Sequence, residues 1–260
     1  MSTHNVLSYA KRIDEICLGE WWQSKDYLDI FTGMIYHIPL HLMNTLNSEN
    51  NWLLDDGNET RLIIRNLNEG IYYQTNRSKK ILGINQNVQI LKKLKIFTLY
   101  DDLSTKHEII KNDYRVFRSK VRSLAIRKST SLLIGSNLIG TYILSAEKYL
   151  EFLKKFKDRN SSVEIWYAPH RYLPKHLLQD IEEIGYKIFS YDTILELAQV
   201  QQGWCFEEYT SVRSTAIDTL EVLYGIQGKY ISLGQEYFVS IDKWEECMQI
   251  WKATNRIIKL

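Results

Sequence analysis

From Ser131 onward, short apolar runs and amphipathic stretches take turns along the chain, and no other feature restricts the fold as much. "SLLIGSN" reads as a strand ending in a Gly-Ser-Asn turn, "SAEKYLEFLKKFK" as a helix capped by Ser145, and "SVEIWYAPH" as the next strand. "PKHLLQDIEEIG" follows as a helix closed by glycine, "YKIFSY" as a third strand, and "DTILELAQV" as a helix opened by an Asp192 cap. "CFEEYTSV" and "RSTAIDTLEVLYG" add a fourth strand and helix, and "KYISLG" a fifth strand. Strands alternating with helices of about 10 to 15 residues predict a parallel sheet with helices on both faces, the doubly wound α/β architecture. Ligands of such sheets sit at the carboxyl ends of the strands.

The first half is less regular. Apolar and aromatic residues recur at three- and four-residue spacing from Val6 to Leu46, which predicts helix, broken or kinked at Pro39. "WLL" at 52–54, "TRLIIRNL" and "KIFTLYDD" have strand composition. "NDYRVFRSKVRSLAIRK" reads as a basic amphipathic helix with Tyr114, Phe117, Val121, Leu124 and Ala125 on one side. The expectation is a reduced N-terminal α/β domain over 1–128 and a Rossmann-like domain over 129–260, divided near Arg127 to Ser131. The closing "KWEECMQIWKATNRIIKL" is expected to be an amphipathic helix that packs back across the other domain or rests on a membrane surface.

Charge excludes one class of partner. With 33 basic and 31 acidic residues the net charge is only +2, which argues against a dedicated nucleic-acid binder. Cys17, Cys205 and Cys247 are far apart and lack CxxC spacing, so neither a disulfide framework nor a structural zinc site is expected, and a reducing, cytoplasmic setting fits best. The first residues lack the basic-then-apolar pattern of an export signal, and no run of about 18 apolar residues occurs. Peripheral contact with the inner membrane and association of copies both stay open.

In a parallel sheet the strand ends would collect Gly135, Ser136 and Asn137, then Pro169, His170 and Arg171, then Ser211, Ser214 and Thr215. A Gly-Ser turn exposes backbone N–H groups, and hydroxyls at a helix start add to its positive end, which together describe a phosphate site. Neither GxGxxG nor GxxxxGK[ST] is present, so a dinucleotide enzyme or P-loop ATPase is not supported. His170 lies between Pro169 and Pro174, in a stiff loop just past a strand, where an imidazole can hold a phosphate or pass it a proton. Taken singly, these residues also read as a helix cap and a surface histidine. "DDG" at 55–57 reads as a turn, or as a carboxylate pair suited to proton abstraction. His37 and His41 have the i, i+4 spacing of a helical metal pair, but no third ligand is evident and Pro39 lies between them, so no metal is expected.

The order Asp55-Asp56-Gly57, a histidine beside a proline, and Ser214-Thr215 resembles the bacterial sialyltransferases of the lipooligosaccharide and polysialic-acid type. The resemblance covers most of Trp52 to Leu233. It implies a GT-B-like glycosyltransferase of two Rossmann-type domains that moves sialic acid from a CMP-sugar donor to a glycan acceptor, with inversion and without a metal or other cofactor. On that likeness Asp55 takes the acceptor proton, with Asp56 tuning or orienting it, while His170, Ser214 and Thr215 stabilise the departing phosphate. Gly135, Ser136, Asn137, Pro169 and Arg171 would line the donor site, and Glu196, in "TILELA", would lie near the ribose. The chain departs from the pattern in reading Pro-His-Arg where the family has His-Pro, and in having only 54 residues before Asp55. Two further readings stand beside it: a GT-B transferase with a UDP or GDP donor, and a non-catalytic remnant that binds a nucleotide or a partner enzyme.

Overall fold

The computed structural model describes residues 26–71, 85, 87–160, 163–252, 254 and 256–260. The chain divides into two compact units, 1–113 and 114–260. The boundary expected near Arg127 to Ser131 falls inside a continuous strand, Ala125–Ile134.

The first unit contains β1 (Tyr27–Thr32), α1 (Ile38–Thr45), β2 (Ser48–Leu54), α2 (Asn58–Glu69), a 3-10 turn (Val88–Lys93), β3 (Leu94–Thr98) and β4 (Ile109–Lys111). All pairings are parallel, in the order β1-β2-β3-β4. Three expectations are corrected here. The helix expected through Leu46 is in part a strand, since Tyr27–Thr32 pairs with β2; its portion before residue 26 lies outside the described residues. Pro39 does not break a helix but begins one, in the first turn of α1, where its missing N–H costs nothing. "TRLIIRNL" is helix, not strand: Thr60, Ile63, Ile64 and Leu67 are buried at i, i+3, i+4 and i+7, so helical period overrides the strand-favouring Ile pair. These residues join Leu40, Met43, Leu53, Leu91, Leu94 and Ile96 in one core.

The second unit opens with α3 (Arg115–Val121), much shorter than expected, because the chain turns at Leu124 and enters β5 (Ala125–Ile134) with Ala125 exposed. There follow α4 (Ala146–Arg159), β6 (Glu164–Ala168), α5 (His176–Glu183), β7 (Lys187–Ile188), α6 (Leu195–Gln202), β8 (Trp204–Ser211), α7 (Ala216–Tyr224), β9 (Gly228–Ser232), α8 (Ile241–Lys252) and β10 (Ile257–Lys259). Ser145 caps α4 as expected, its hydroxyl accepting the Lys148 N–H. Asp192 does not cap α6, which starts after Ile194 without a side-chain cap.

The sheet order is β10-β9-β8-β5-β6-β7, all parallel. Counted from β5 as first strand this is the 3-2-1-4-5-6 winding of the Rossmann fold, an α/β doubly wound sheet as the sequence predicts. Winding one way through β5, β6 and β7 and the other way through β8, β9 and β10 puts helices on both faces. The direction reverses between β5 and β8, which opens a crevice at their carboxyl ends. The last helix packs on its own unit: Cys247 and Trp251 are buried, Trp251 Nε1 donates to the Val212 carbonyl at 2.9 Å, and its ring meets Phe238 edge-on. The segment after it adds β10 to the sheet instead of extending the helix.

Candidate functional site

At the switch point, one hydroxyl joins the two halves of the sheet. Ser211 Oγ, at the end of β8, donates to the Ile134 carbonyl at the end of β5 (2.8 Å) and accepts the N–H groups of Arg213 (3.3 Å) and Ser214 (3.0 Å). Ser214 Oγ in turn accepts the Ala216 N–H at 3.3 Å, so Ser214 is the residue whose side chain caps α7. Thr215 precedes α7 with helical dihedrals and no capping bond. Both are half-buried. The Ser-Thr reading as a cap is therefore realised by Ser214.

The turn after β5 is held against β6. Gly135 N–H donates to the Ala168 carbonyl at 2.8 Å. A β-carbon on Gly135 would lie 2.7 Å from Tyr167 Oη, 2.8 Å from the Ala168 carbonyl and 3.1 Å from the His170 backbone nitrogen. Only glycine permits that approach, and it sets the start of the His170 loop against the start of the Gly-Ser turn. Ser136 Oγ is buried and has no hydrogen-bond partner among the described residues. Asn137 is exposed.

His170 is half-buried in the loop after β6. Its Nδ1 lies 3.3 Å from the Tyr172 backbone nitrogen, and we assign it as acceptor, which leaves the proton of the neutral ring on Nε2. Burial, and then the neighbouring Arg171 charge, hold this imidazole below its ordinary value. Arg171 is exposed and stacks over the Tyr172 ring at 4.9 Å. The Pro169 carbonyl accepts Tyr191 Oη–H at 3.0 Å, which anchors the loop's start. Glu196 is half-buried in the first turn of α6, and burial pushes its carboxyl up. Its backbone carbonyl accepts Tyr224 Oη–H at 2.6 Å. Gly135, Ser136, Asn137, Pro169, His170, Arg171, Ser214 and Thr215 thus all follow carboxyl ends of β5, β6 or β8, and Glu196 lies on the helix that follows β7.

In the first unit, the DDG segment joins β2 to α2. Asp55 Oδ1 accepts the Gly57 N–H (3.1 Å), and Oδ2 accepts Thr98 Oγ1–H (3.1 Å) and the Leu99 N–H (3.0 Å). The first carboxylate is thereby spent on fastening the end of β2 to the end of β3. Gly57 has φ 60°, a left-handed conformation that favours glycine, and turns the chain into α2. Asp56 donates its N–H to Thr60 Oγ1 at 2.7 Å, and its side chain is exposed. Arg61, one turn on, pairs with Asp102 at 2.9 Å and stacks on Tyr100 at 3.9 Å. Sequence reasoning missed Thr98 and Arg61. Thr98 could have been found as the polar residue closing the strand "KIFT", at the same sheet edge as Asp55.

His37 and His41 do not form a metal pair. His41 is buried with Nδ1 accepting the Asn85 N–H at 2.9 Å, while His37 stands before α1 with φ 58°. Among the described residues no group of three or more His, Cys, Asp or Glu side chains is placed to hold a metal ion. Cys205 and Cys247 are buried free thiols. No helix among the described residues is long and apolar enough to cross a membrane.

No protein-family model and no curated protein matches the chain. Among solved structures, MurG of Acinetobacter baumannii aligns with 10% identity and a TM-score of 0.40, over 99% of this chain and 63% of its own length. The chain therefore spans less than two thirds of MurG, and a likeness at that score carries no statement about activity.

Proposed function

We propose that the protein is an inverting glycosyltransferase that uses a nucleotide-linked sugar, and that its donor is a CMP-sialic acid. The supporting observation is the gathering of Gly135, Ser136, His170 and Ser214 at the carboxyl edge of one sheet in Rossmann order, after the two strands that flank its switch point and after β6 beside them. The sialic acid donor rests on the resemblance of the three motifs.

In this reading the acceptor hydroxyl attacks the anomeric carbon as the bond from that carbon to the phosphate oxygen breaks, and the electron pair leaves with CMP. Hydrogen bonds from Ser214 and from His170 Nε2–H meet the charge that develops on the departing phosphate. The donor's phosphate anion, whose charge grows as CMP departs, favours protonation of the ring, so His170 can bind the phosphate as an imidazolium. We assign the acceptor proton to Asp56, the exposed carboxylate, and to Asp55 the task of fixing the turn that carries it, because Asp55 already accepts three hydrogen bonds. This exchanges the roles that the resemblance implies. The test is a thermal-shift screen of CMP, UDP and GDP, followed by transfer assays with the CMP donor. Stabilisation by CMP above the other two supports the donor class, and preference for UDP or GDP refutes it.

The same bonds favour a second reading, a nucleotide-binding protein without transferase activity, since a carboxylate that serves as a structural fastener needs no chemistry to account for it. CMP binding with neither transfer nor donor hydrolysis would support that alternative.

A further inference from the structure

Arg213 lies two residues past the end of β8, and no motif draws attention to it. Its Nε is buried and has no hydrogen-bond partner among the described residues. The guanidinium carbon lies 4.2 Å from the centre of the Tyr142 ring, so the side chain is held by stacking. The nearby acid is Glu246, which already accepts Tyr142 Oη–H at 2.8 Å and pairs with Lys243 Nζ at 2.5 Å. Burial would raise the Glu246 carboxyl, yet the Lys243 and Tyr142 hydrogen bonds and the charges of Lys243 and Arg213 hold it below the usual range. Two cations therefore share one carboxylate, and the cluster keeps a net positive charge.

Ser136 Oγ is likewise buried without a hydrogen-bond partner among the described residues, as is Thr210 Oγ1, one residue before the end of β8. Ser211 Oγ ties the end of β8 to the Ile134 carbonyl, so Ser136 and Arg213, each two residues beyond those tied positions, leave the sheet at one place. Buried polar groups without partners are uncommon in folded proteins because each forgoes the hydrogen bonds it had in water. An anion that reached both Arg213 Nε and Ser136 Oγ would supply the acceptors they lack. A guanidinium offers a planar fork of N–H donors that matches phosphate oxygens, which a point charge does not.

We propose that Arg213 and Ser136 together bind the phosphoryl group of a nucleotide in this crevice, with Tyr142 holding the guanidinium in place. The proposal rests on the reading of the crevice as a nucleotide site, and extends it to a residue outside the motifs. Isothermal titration of the full chain with CMP, UDP and GDP, and with the three nucleosides, isolates the phosphate's share of the affinity. The wild type is expected to bind one nucleotide about tenfold or more tightly than its nucleoside, a ratio typical of a charge-assisted hydrogen bond. Arg213→Gln should lose most of that ratio and Ser136→Ala part of it, with nucleoside affinity kept, and Arg213→Lys should restore only a fraction. Ser136→Ala removes an unpartnered hydroxyl and is expected to fold at least as well as wild type, so it carries the test if Arg213→Gln does not fold. An unchanged ratio in Arg213→Gln, or in Ser136→Ala when only that variant folds, overturns the proposal. The same losses measured with UDP or GDP support Arg213 while refuting the CMP donor, and failure of the wild type to bind any of the nucleotides overturns both.

Discussion

Asp55 Oδ2 stands 3.1 Å from Thr98 Oγ1, joining the carboxyl ends of neighbouring strands β2 and β3 through a side-chain bond. With the Leu99 and Gly57 N–H groups as further donors, this carboxylate completes the sheet edge. Asp55→Ala leaves those donors without their acceptor and is expected to destabilise the protein by about 2–4 kcal/mol in urea titration. Asp55→Asn keeps two acceptor lone pairs and should recover a large part of the loss. If Asp55→Asn is as stable as wild type yet inactive, Asp55 performs chemistry as well as fastening.

Asp56 should behave in the opposite way. Its side chain is exposed, so Asp56→Asn is expected to change stability by no more than about 0.5 kcal/mol. If it is the general base proposed above, its loss should cost on the order of 10²–10⁴-fold in turnover, which a transfer assay at saturating donor would detect. Retained turnover in Asp56→Asn would remove it from the mechanism.

Gly135 tests whether the His170 loop depends on the turn after β5. The added methyl of Gly135→Ala would press on Tyr167 Oη, the Ala168 carbonyl and the His170 nitrogen. Backbone atoms cannot yield as a flexible side-chain tip can, so a loss of roughly 1–3 kcal/mol is expected by thermal or urea unfolding, with weakened nucleotide binding in the fraction that folds.

The pH dependence follows from His170. Its folded value is depressed by burial and by Arg171, so between that value and the ordinary 6.5 the unfolded chain binds more protons than the folded one. The stability from this group is full above about pH 6.5 and is lost as pH falls through the folded value. His170→Gln should therefore flatten the fall in stability below about pH 6.5, leaving the slope from His107, whose imidazole burial also lowers. A phosphate beside His170 would raise its pKa, so nucleotide binding near pH 6.5 should take up protons, visible as buffer-dependent heats that vanish in His170→Gln.

The second unit could be read from sequence because its strands are apolar runs closed by turn residues and, from α4 onward, each helix is at least as long as the strands beside it. Such a pattern leaves few alternatives, and it placed Gly135, His170 and Ser214 at one sheet edge. Residues 27–32 and 58–69 were misread for opposite reasons. "YLDIFT" is too short for period alone to separate strand from helix, and what decides it is pairing with β2, a tertiary fact. "TRLIIRNL" carries its helical spacing openly, but the two isoleucines suggested a strand. Hydrogen-bond assignments were beyond reach: nothing local says that Asp55 meets Thr98 or that Ser211 meets Ile134, because each pair is separated by dozens of residues. Arg213 is hidden from sequence for the same reason, since its unpartnered Nε is visible only when its neighbours are in place.

The Ser211 hydroxyl has a consequence for how fast a ligand could be captured. Because it already secures the amides that lead into α7, that rim is rigid before any ligand arrives, and little ordering entropy remains to be lost on association. Encounter should then be governed by diffusion and by the local positive field, with discrimination among nucleotides falling to residence time.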